Sequence, residues 1–591
     1  MRALRKIKNN QKKLDFCLKL RYNIFRNKIF YEKGGIPINE LLAQVFERRG
    51  YTKEFLTSIN TFKEQKLDDI DELCEALHDI KLSKEQIIVL PDYDMDGIMS
   101  GVIAYTGLAD LGFNVDIYVP DVSLGYGFNK EVIDLIISRF PNVKHIITCD
   151  NGIQCFDGVT YAKSKNIDVY ITDHHMSSTT FPEAEVIVNP NKFGSTYEHP
   201  EICGAVVIWK VLMHYVEKYK CDTFVSQRID RLRVFAGIST VSDMMPILYE
   251  NRVILKDSLI ISNILLNSDV EIYLENSRRP LDRAFKNYKT LLRRYRDEYK
   301  KIGDEVNEDF YAFYLAPTFN SVKRLAEDMK FAFGLFLAKD PDKFITKLHD
   351  LNEERKDLVK KYLSELTPLD NSSIYVYFTD AQPGLLGLLA NSVMSTTGLP
   401  TFVLNYSGLS GSGRSPYWFS SITNLQDFTI LGHECAFGCS FKDIDEVERL
   451  NEAVDLKVKE IIKESEGSPQ DNSDIYDYEI FTVSEDGLFT PASLYYDFCK
   501  ELKVYEPFGQ GFTKPVGLLH VDMKYVSYQV MGSESQHLKL ILPKGVEVLL
   551  FNQADLLEDL IKREVFDVEG SLQISEFMGN ERVQFNGKVL C

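Results

Sequence analysis

The chain has 591 residues, 45% of them hydrophobic and 26% charged, which excludes both a disordered segment and a membrane-spanning bundle. Its formal net charge of -19 excludes a uniformly basic coat for duplex DNA, because such binding is dominated by Lys and Arg neutralising phosphates. An active site of clustered carboxylates beside a local basic channel stays open.

The length predicts about three to four structural units. The basic opening MRALRKIKNNQKKL has no apolar leader core, and no run of about 18 apolar residues follows, so a cytoplasmic protein without membrane contact is expected. The ten cysteines form no CxxC pair and are expected to be reduced; Cys435 and Cys439, the one close pair, are not read as a metal site.

Residues 1–80 read as an N-terminal helical extension. Its first 35 residues carry eleven Lys or Arg against Asp15 and Glu32, the pattern of a solvated helix face or of an arm touching nucleic acid. From residue 81 to 265 short apolar runs alternate with helical stretches: EQIIVLPDYD, NVDIYVPD, VKHIITCD and DVYITDHH as strands, GIMSGVIAYTGLADLG and EVIDLIISRF among the helices. That alternation predicts an α/β fold with a parallel sheet, and ligands of such sheets gather at the carboxyl ends of the strands. Residues 266–368 read as helical, ending in a long charged connector, KFITKLHDLNEERKDLVKKYLSEL. A second α/β unit is expected over 369–460. The polar stretch ESEGSPQDNSD, 464–474, marks a boundary, and the short strands of 475–591 predict a small β-barrel of the OB-fold type.

The chemistry lies at the ends of the first strands. Strand alternation through PDYDMDG predicts Asp92, Asp94 and Asp96 on one face, with Gly97 opening a turn. Three carboxylates on one face repel unless a cation sits between them. TCDNGI adds Asp150, STVSDMMPI adds Asp243, and ITDHH adds Asp173, His174 and His175, where imidazole and carboxylate together suit borderline divalent metals. Asp173 is read either as a ligand or as the group that orients a His. Four separate segments delivering Asp and His to one edge suggest a two-metal site for phosphate esters.

These four motifs together resemble those of the DHH phosphoesterase superfamily. APTFNSVKRL at 316–325, QPGLLGLLANSV, GSGRS at 411–415, LGHECAFG at 431–438 and EPFGQGFTKP at 506–515 resemble, in content and order, the RecJ-like branch and its DHH-associated and OB domains, over roughly residues 80–591. The resemblance implies a metal-dependent 5′-to-3′ exonuclease that cuts single-stranded DNA to 5′-mononucleotides in repair, recombination or replication. It implies two divalent cations, Mn2+ or Mg2+. Asp94 and Asp96 would hold separate ions, Asp150 would bridge them, His174 and Asp243 would complete the second site, and Asp92 would supplement the first, Leu90 standing where related pyrophosphatases carry a His. His175 and Asp173 would be the catalytic pair, His175 on the scissile phosphate.

The GSGRS stretch reads as a glycine loop exposing N–H groups to an anion, with Ser412, Gly413 and Arg414 binding phosphate. His433, Asn320 and Arg324 join them by resemblance, and Tyr525, Tyr528 and Phe551 are candidates to stack bases or to fill the core. Val122 and Thr318 stand where the family usually has Arg. The expected partners are a single-stranded DNA substrate and a single-strand-binding protein or helicase, with the chain itself a monomer. A phosphoesterase for RNA or short oligonucleotides, and a non-catalytic replication scaffold, are the alternatives.

Overall fold

The computed structural model describes residues 40–590, apart from 63–64, 122–126, 268–278, 304, 371–372, 421–423, 466–475, 483–491, 533–534 and 578–579. The basic arm before residue 40, Val122 and most of the polar stretch 464–474 lie outside the described residues. The described residues fall into two compact units, one drawn from 64–245 and 254–468, the other from 25–63, 246–253 and 469–591.

The first unit opens on a five-stranded sheet. Its strands are β1 (Gln86–Pro91), β2 (Asn114–Ile117), β3 (His145–Cys149), β4 (Asp168–Thr172) and β5 (Val186–Val188), in the order β2-β1-β3-β4-β5 with every pairing parallel. Parallel sheets are covered on both faces, which is why IIVLP, HIITC and VYIT are mostly apolar and are buried throughout. One cover is helix α1 (Met95–Asp110), buried almost all round and packed against α2 (Gly204–Lys218) and α3 (Arg233–Ser242).

One expectation fails at the start of α1. Strand β1 ends at Pro91, so Asp94 and Asp96 are not alternate residues of a strand: Asp94 is the N-cap of α1, its Oδ1 accepting from the N–H groups of Asp96 (3.1 Å) and Gly97 (3.2 Å), and Asp96 sits in the first turn. An Asp two residues before a free helical N–H is a better cap than a strand residue. Gly97 is therefore helical, and its role is close approach: a Cβ there would lie 2.3 Å from the Asp92 carbonyl oxygen.

Beyond α3 the unit is helical, through α4 (Ala316–Arg324) to α5 (Asp342–Glu365), the expected connector. At 24 residues α5 is about 36 Å long. Ile345, Leu348 and Leu351 bury its first half, while Leu358, Val359, Tyr362 and Leu363 pack its second half under a second sheet. That sheet has six strands, β6 (Thr367–Pro368), β7 (Val376–Thr379), β8 (Thr401–Asn405), β9 (Ser410–Arg414), β10 (Ile430–His433) and β11 (Ala436–Ser440), ordered β10-β11-β9-β8-β7-β6, with helix α6 (Pro383–Thr397) against β8 and β9. The GSGRS stretch is thus an interior strand and not a loop. Its amides belong to the ladders with β8 and β11, and its glycines make room, since a Cβ on Gly413 would meet the Phe437 ring at 2.0 Å.

The second unit is built on a seven-stranded sheet of β12 (Tyr478–Phe481), β13 (Gly517–Asp522), β14 (Ser527–Met531), β15 (His537–Ile541), β16 (Glu547–Leu550), β17 (Val565–Phe577) and β18 (Asn580–Val589), ordered β12-β13-β17-β18-β16-β15-β14. Period-2 burial gives the core: Leu538 and Leu540 of β15 meet Val548 and Leu550 of β16, Val568 and Leu572 of β17 and Phe585 of β18. Tyr525, Tyr528 and Phe551 are all exposed. No helix among the described residues is long and apolar enough to cross a membrane.

Arg252, a 0% exposed cation, organises this unit. Its guanidinium donates to the carbonyl oxygens of Pro507 (2.6 Å), Tyr505 and Glu506 (3.2 Å) and to Asn60 Oδ1 (3.1 Å), and lies 4.8 Å from the centre of the Phe512 ring. The EPFGQG turn is therefore wound around a charge. Arg252→Met keeps the volume but leaves three carbonyls without that donor, and is expected to lower stability by about 3 kcal/mol or more. A denaturant titration followed by far-ultraviolet circular dichroism measures it; an unchanged midpoint would show that the turn holds without the cation.

Candidate active site

Strands β1, β3 and β4 are neighbours, and the residues just past their carboxyl ends meet those at the ends of α2 and α3. Three sets of ligand atoms lie within 4.8 Å of one another: Asp92, Asp94 and Asp150; Asp96, His174 and Asp243; Asp150, His174 and His175. His174 is at the centre, its Nε2 lying 3.1 Å from Asp150 Oδ1, 3.6 Å from Asp96 Oδ2 and 3.6 Å from Asp243 Oδ2.

Local backbone forces this convergence. Asp150 has a left-handed φ of 64°, a conformation that non-glycine residues hold only under constraint, and it packs on the first residue of α2. A Cβ on Gly204 would come within 2.6 Å of the Asp150 Cβ, so only glycine lets the helix start there. The freed N–H groups of α2 are used: Gly204 donates to Asp96 Oδ2 (2.7 Å) and Ala205 to Asp96 Oδ1 (3.0 Å), with Ser239 Oγ of α3 on Oδ1 as well.

Asp173 is likewise committed to protein donors. It accepts from the N–H groups of Ile153 (2.9 Å), His174 (2.7 Å) and His175 (3.1 Å), and its Oδ1 is 2.7 Å from His175 Nδ1. Of the two roles read from sequence, the geometry gives it the orienting one. Burial alone would raise its carboxyl, but the bonds to His175 and the amides bring it below the ordinary range. The partner moves the opposite way: burial works to lower His175, and Asp173, helped by the charges of Asp96 and Asp243, lifts it to about 9. A partly exposed imidazolium results, suited to a phosphate oxygen.

The remaining groups are under electrostatic stress. Burial first, then Asp94, pushes Asp92 up to about 7; burial, then Asp96 and Asp94, pushes Asp243 up to about 8; and burial with four neighbouring carboxylates pushes Asp150 well above its usual range. Asp150 Oδ1 is buried with no hydrogen-bond donor among the described residues. Burial holds His174 below its ordinary value, which favours the neutral imidazole that a metal ligand must be. Crowded anionic oxygens, one orphaned buried oxygen and a neutral imidazole fit a pair of divalent cations.

Helix α4 leads from this cluster to the second sheet. Asn320 Oδ1 accepts from the N–H of Met95 (3.3 Å), and Arg324, one turn on, donates to the Gly384 carbonyl (3.3 Å) at the start of α6. Arg324 is lowered to about 10 by burial and by Arg355 and Arg414 beside it. Arg414 donates to the Gly413 carbonyl (2.7 Å) and lies over Gly387 of α6, and Arg355 of α5 holds Asn352 Oδ1 (3.0 Å). Among the described residues none of the three forms an ion pair with a carboxylate, so three cations stand together without one. Ser412 lines an open cavity of about 580 Å³ beside it, and His433 is exposed at the end of β10.

Sequence reading missed several of these residues. Arg355 sat unnoticed in a charged helix. Lys323 places Nζ 3.9 Å from Asp94 Oδ2 and 4.6 Å from the centre of the Tyr93 ring. Asn189 and Asn191, in the Asn-Pro-Asn after β5, donate to the carbonyls of His175 (3.0 Å) and His174 (2.6 Å) and so fix the histidine turn. Two Asn around a Pro is a turn signal that could have pointed to them.

Residues 86–233 match the N-terminal domain of the DHH family, and residues 486–588 match the RecJ OB domain. The single-stranded-DNA-specific exonuclease RecJ of Bacillus subtilis (strain 168) is 26% identical over 603 residues, an alignment taking in 96% of this chain and 70% of that protein. The protein of the same name from Escherichia coli (strain K12) is 26% identical over 560 residues, 88% of this chain and 90% of that one. Among solved structures, RecJ from Thermus thermophilus in complex with Mn2+ shares the fold with a TM-score of 0.66 at 21% identity, over 93% of this chain and 75% of that one, and its complex with Mg2+ gives 0.60. Along most of its length the chain is thus similar to RecJ, with a DHH-family domain and a RecJ OB domain matched in it.

By resemblance Thr318 stands where an Arg is usual, and the structure shows what it contacts. Thr318 is buried, donating to the Tyr314 carbonyl (2.7 Å) and bonded to the Tyr295 hydroxyl (2.8 Å), so it faces protein. Lys323 places a positive charge on the same helix, on the side of Asp94. The repulsion around Asp150 yields a prediction for this RecJ-like site: Asp150→Asn relieves a buried like charge, so the metal-free protein should melt no lower than the parent while the rise in Tm on adding Mn2+ shrinks. Thermal melts with chelator and with Mn2+ read both; a full Mn2+ shift in the variant would remove Asp150 from the metal groups.

Proposed function

We propose that the chain is an exonuclease that hydrolyses single-stranded DNA from the 5′ end to 5′-mononucleotides, with two divalent cations, Mn2+ or Mg2+, and that it serves DNA repair, recombination or replication. The observation that carries this is the pairing, one helix apart, of a crowded carboxylate and histidine cluster with three arginines that form no carboxylate ion pair among the described residues. The names of its relatives agree, and so does the OB-domain match. In this reading residues 81–265 are the catalytic domain, 369–460 bind the strand end and 475–591 add sequence-tolerant contacts.

Asp92, Asp94 and Asp150 would hold one cation, and Asp96, His174 and Asp243, sharing Asp150, the other. The cations, when bound, supply the charge that makes water a nucleophile near neutral pH and that draws off the negative charge of the breaking ester. The protein's own part is positioning. His175, kept protonated by Asp173, donates to a non-bridging oxygen of the scissile phosphate, and the Asn189 and Asn191 clamps keep its turn from yielding. Arg324, Arg355 and Arg414 would hold the terminal phosphate beyond the scissile bond, an end stop that sets both the 5′ polarity and the length of the product. The side chains do this and not the β9 amides, which are used in the sheet.

The experiment is degradation of end-labelled single- and double-stranded DNA and of RNA with Mn2+, Mg2+ or chelator. Rapid metal-dependent loss of single-stranded DNA is expected; preference for RNA would favour the oligonucleotide phosphoesterase, and no hydrolysis of any substrate a scaffold. In the same assay Asp150→Ala should lose several powers of ten in rate while staying folded. A rate above about a tenth of the parent's would discard its bridging role.

Arg414→Ala removes a charge-assisted contact of about 1.5–3 kcal/mol, which corresponds to roughly ten- to a hundredfold. The variant should cut slowly and lose most of the preference for 5′-phosphorylated over 5′-hydroxyl strands in direct competition. A preference that survives, or label released first from the 3′ end, rejects the end stop.

A further inference from the structure

The second sheet carries an aromatic pair that the proposed chemistry does not use. Tyr417 is 87% exposed and Trp418 is 43% exposed, on the turn that leaves β9 directly after Arg414. That turn is anchored at both ends. The Ser415 N–H donates to the Cys435 carbonyl (3.1 Å) of the β10–β11 hairpin, the Phe419 N–H donates to the Pro416 carbonyl (2.9 Å), Ser420 Oγ bonds Glu434, and the Phe419 ring is buried in the core beneath Trp418. Two large aromatic rings are thus held in solvent by a fixed backbone.

Strand register says what surrounds them. Arg414 pairs with Ala436, and Ala436 pairs with His433, so the three form one row across β9, β11 and β10 at the edge from which the turn departs. The next row on the same face is Ser412, Gly438 and Leu431, with Leu431 74% exposed. The floor of this strip is two small residues, Ala436 and Gly438, and its margins are a guanidinium free of carboxylates, an exposed imidazole and exposed apolar groups. A chain of anionic phosphates bearing flat apolar rings complements that mixture, whereas an apolar protein segment would leave Arg414 uncompensated.

We propose that Tyr417 and Trp418 are a base-stacking platform for unpaired nucleic acid, receiving the bases of a strand whose phosphates lie along the row of Arg414 and His433. The proposal rests on the single-strand reading above for the class of ligand, but not on hydrolysis. Stacking on aromatics does not discriminate between bases, so the platform would grip any sequence and reject a duplex, whose bases are already stacked.

The chain has two tryptophans, and the other, Trp209, is 7% exposed, so Trp418 is the accessible reporter. Intrinsic fluorescence of the full chain is titrated with oligo(dT) in chelator, where nothing is cut, and anisotropy of a labelled oligo(dT) gives affinity in parallel. Saturable quenching is expected, lost in Trp418→Phe because the reporter is gone. Affinity should stay within about threefold in Trp418→Phe, which keeps a ring, and fall about ten- to a hundredfold in the Tyr417→Ala, Trp418→Ala double variant. All substitutions are at exposed positions, and circular dichroism verifies folding.

Tight oligo(dT) binding with no quenching, or with full affinity in the double variant, overturns the platform and leaves the pair to a protein partner. No binding by the parent chain also overturns it. Failure of the nuclease reading looks different: binding and quenching as described, with no hydrolysis when Mn2+ is added.

Discussion

Mutual repulsion among buried carboxylates is the constraint on which the rest of the site depends. Asp92, Asp94, Asp96, Asp150 and Asp243 are brought together from two strand ends and two helix ends, and burial makes the charges of Asp92, Asp150 and Asp243 harder to keep. The fold treats them unequally. Asp96 and Asp173 are surrounded by donors, from the first amides of α2 in one case and from the histidine turn in the other. Asp92, Asp150 and Asp243 are instead pushed upward, and their strain is of the kind that a cation removes. Metal binding would then complete the fold locally as well as supply chemistry.

The same inequality assigns the two histidines. Adjacent in sequence, they part because burial outweighs the pull of the three carboxylates around His174, whereas the bond from His175 Nδ1 to Asp173 outweighs burial. His174 is buried and held neutral, as a ligand must be; His175 is partly exposed and held charged, as a phosphate contact benefits from being. Asn189 and Asn191 grip the backbone carbonyls of this pair, so the division of labour does not depend on loop entropy.

Much of this was legible from residues alone. Apolar runs ending in Asp announced a parallel sheet with its chemistry at one edge, and His174, Asp150 and Asp243 could be named because carboxylates and imidazoles in four such places have few other uses. Two readings failed for one reason, that short polar stretches do not reveal their hydrogen-bond partners. PDYDMDG alternates like a strand, yet Asp94 caps a helix because the freed N–H groups of α1 needed an acceptor. GSGRS has the composition of a phosphate loop, yet Phe437 and the Val403 carbonyl approach so closely that glycine is demanded for packing. Arg355 and Lys323 were hidden for a different reason: charged residues on helices are common, and only the tertiary fold shows which of them lack a carboxylate or stand beside an active one.

On the proposed reading, helix α4 turns two binding sites into a ruler. Asn320 is fixed to the first turn of α1, beside the metal groups, and Arg324 is fixed to the first turn of α6, beside Arg355 and Arg414. Four residues of helix rise about 6 Å, so the two ends of this short span are held at a separation that side-chain motion cannot much alter. On the proposed reading, a phosphate at the arginines and a phosphate at the metal groups belong to neighbouring nucleotides, and the product length follows from the rise of a helix. Thr318, buried and bonded to the Tyr295 hydroxyl and the Tyr314 carbonyl, braces that span from one side, while Lys323 stands beside Asp94 on the other.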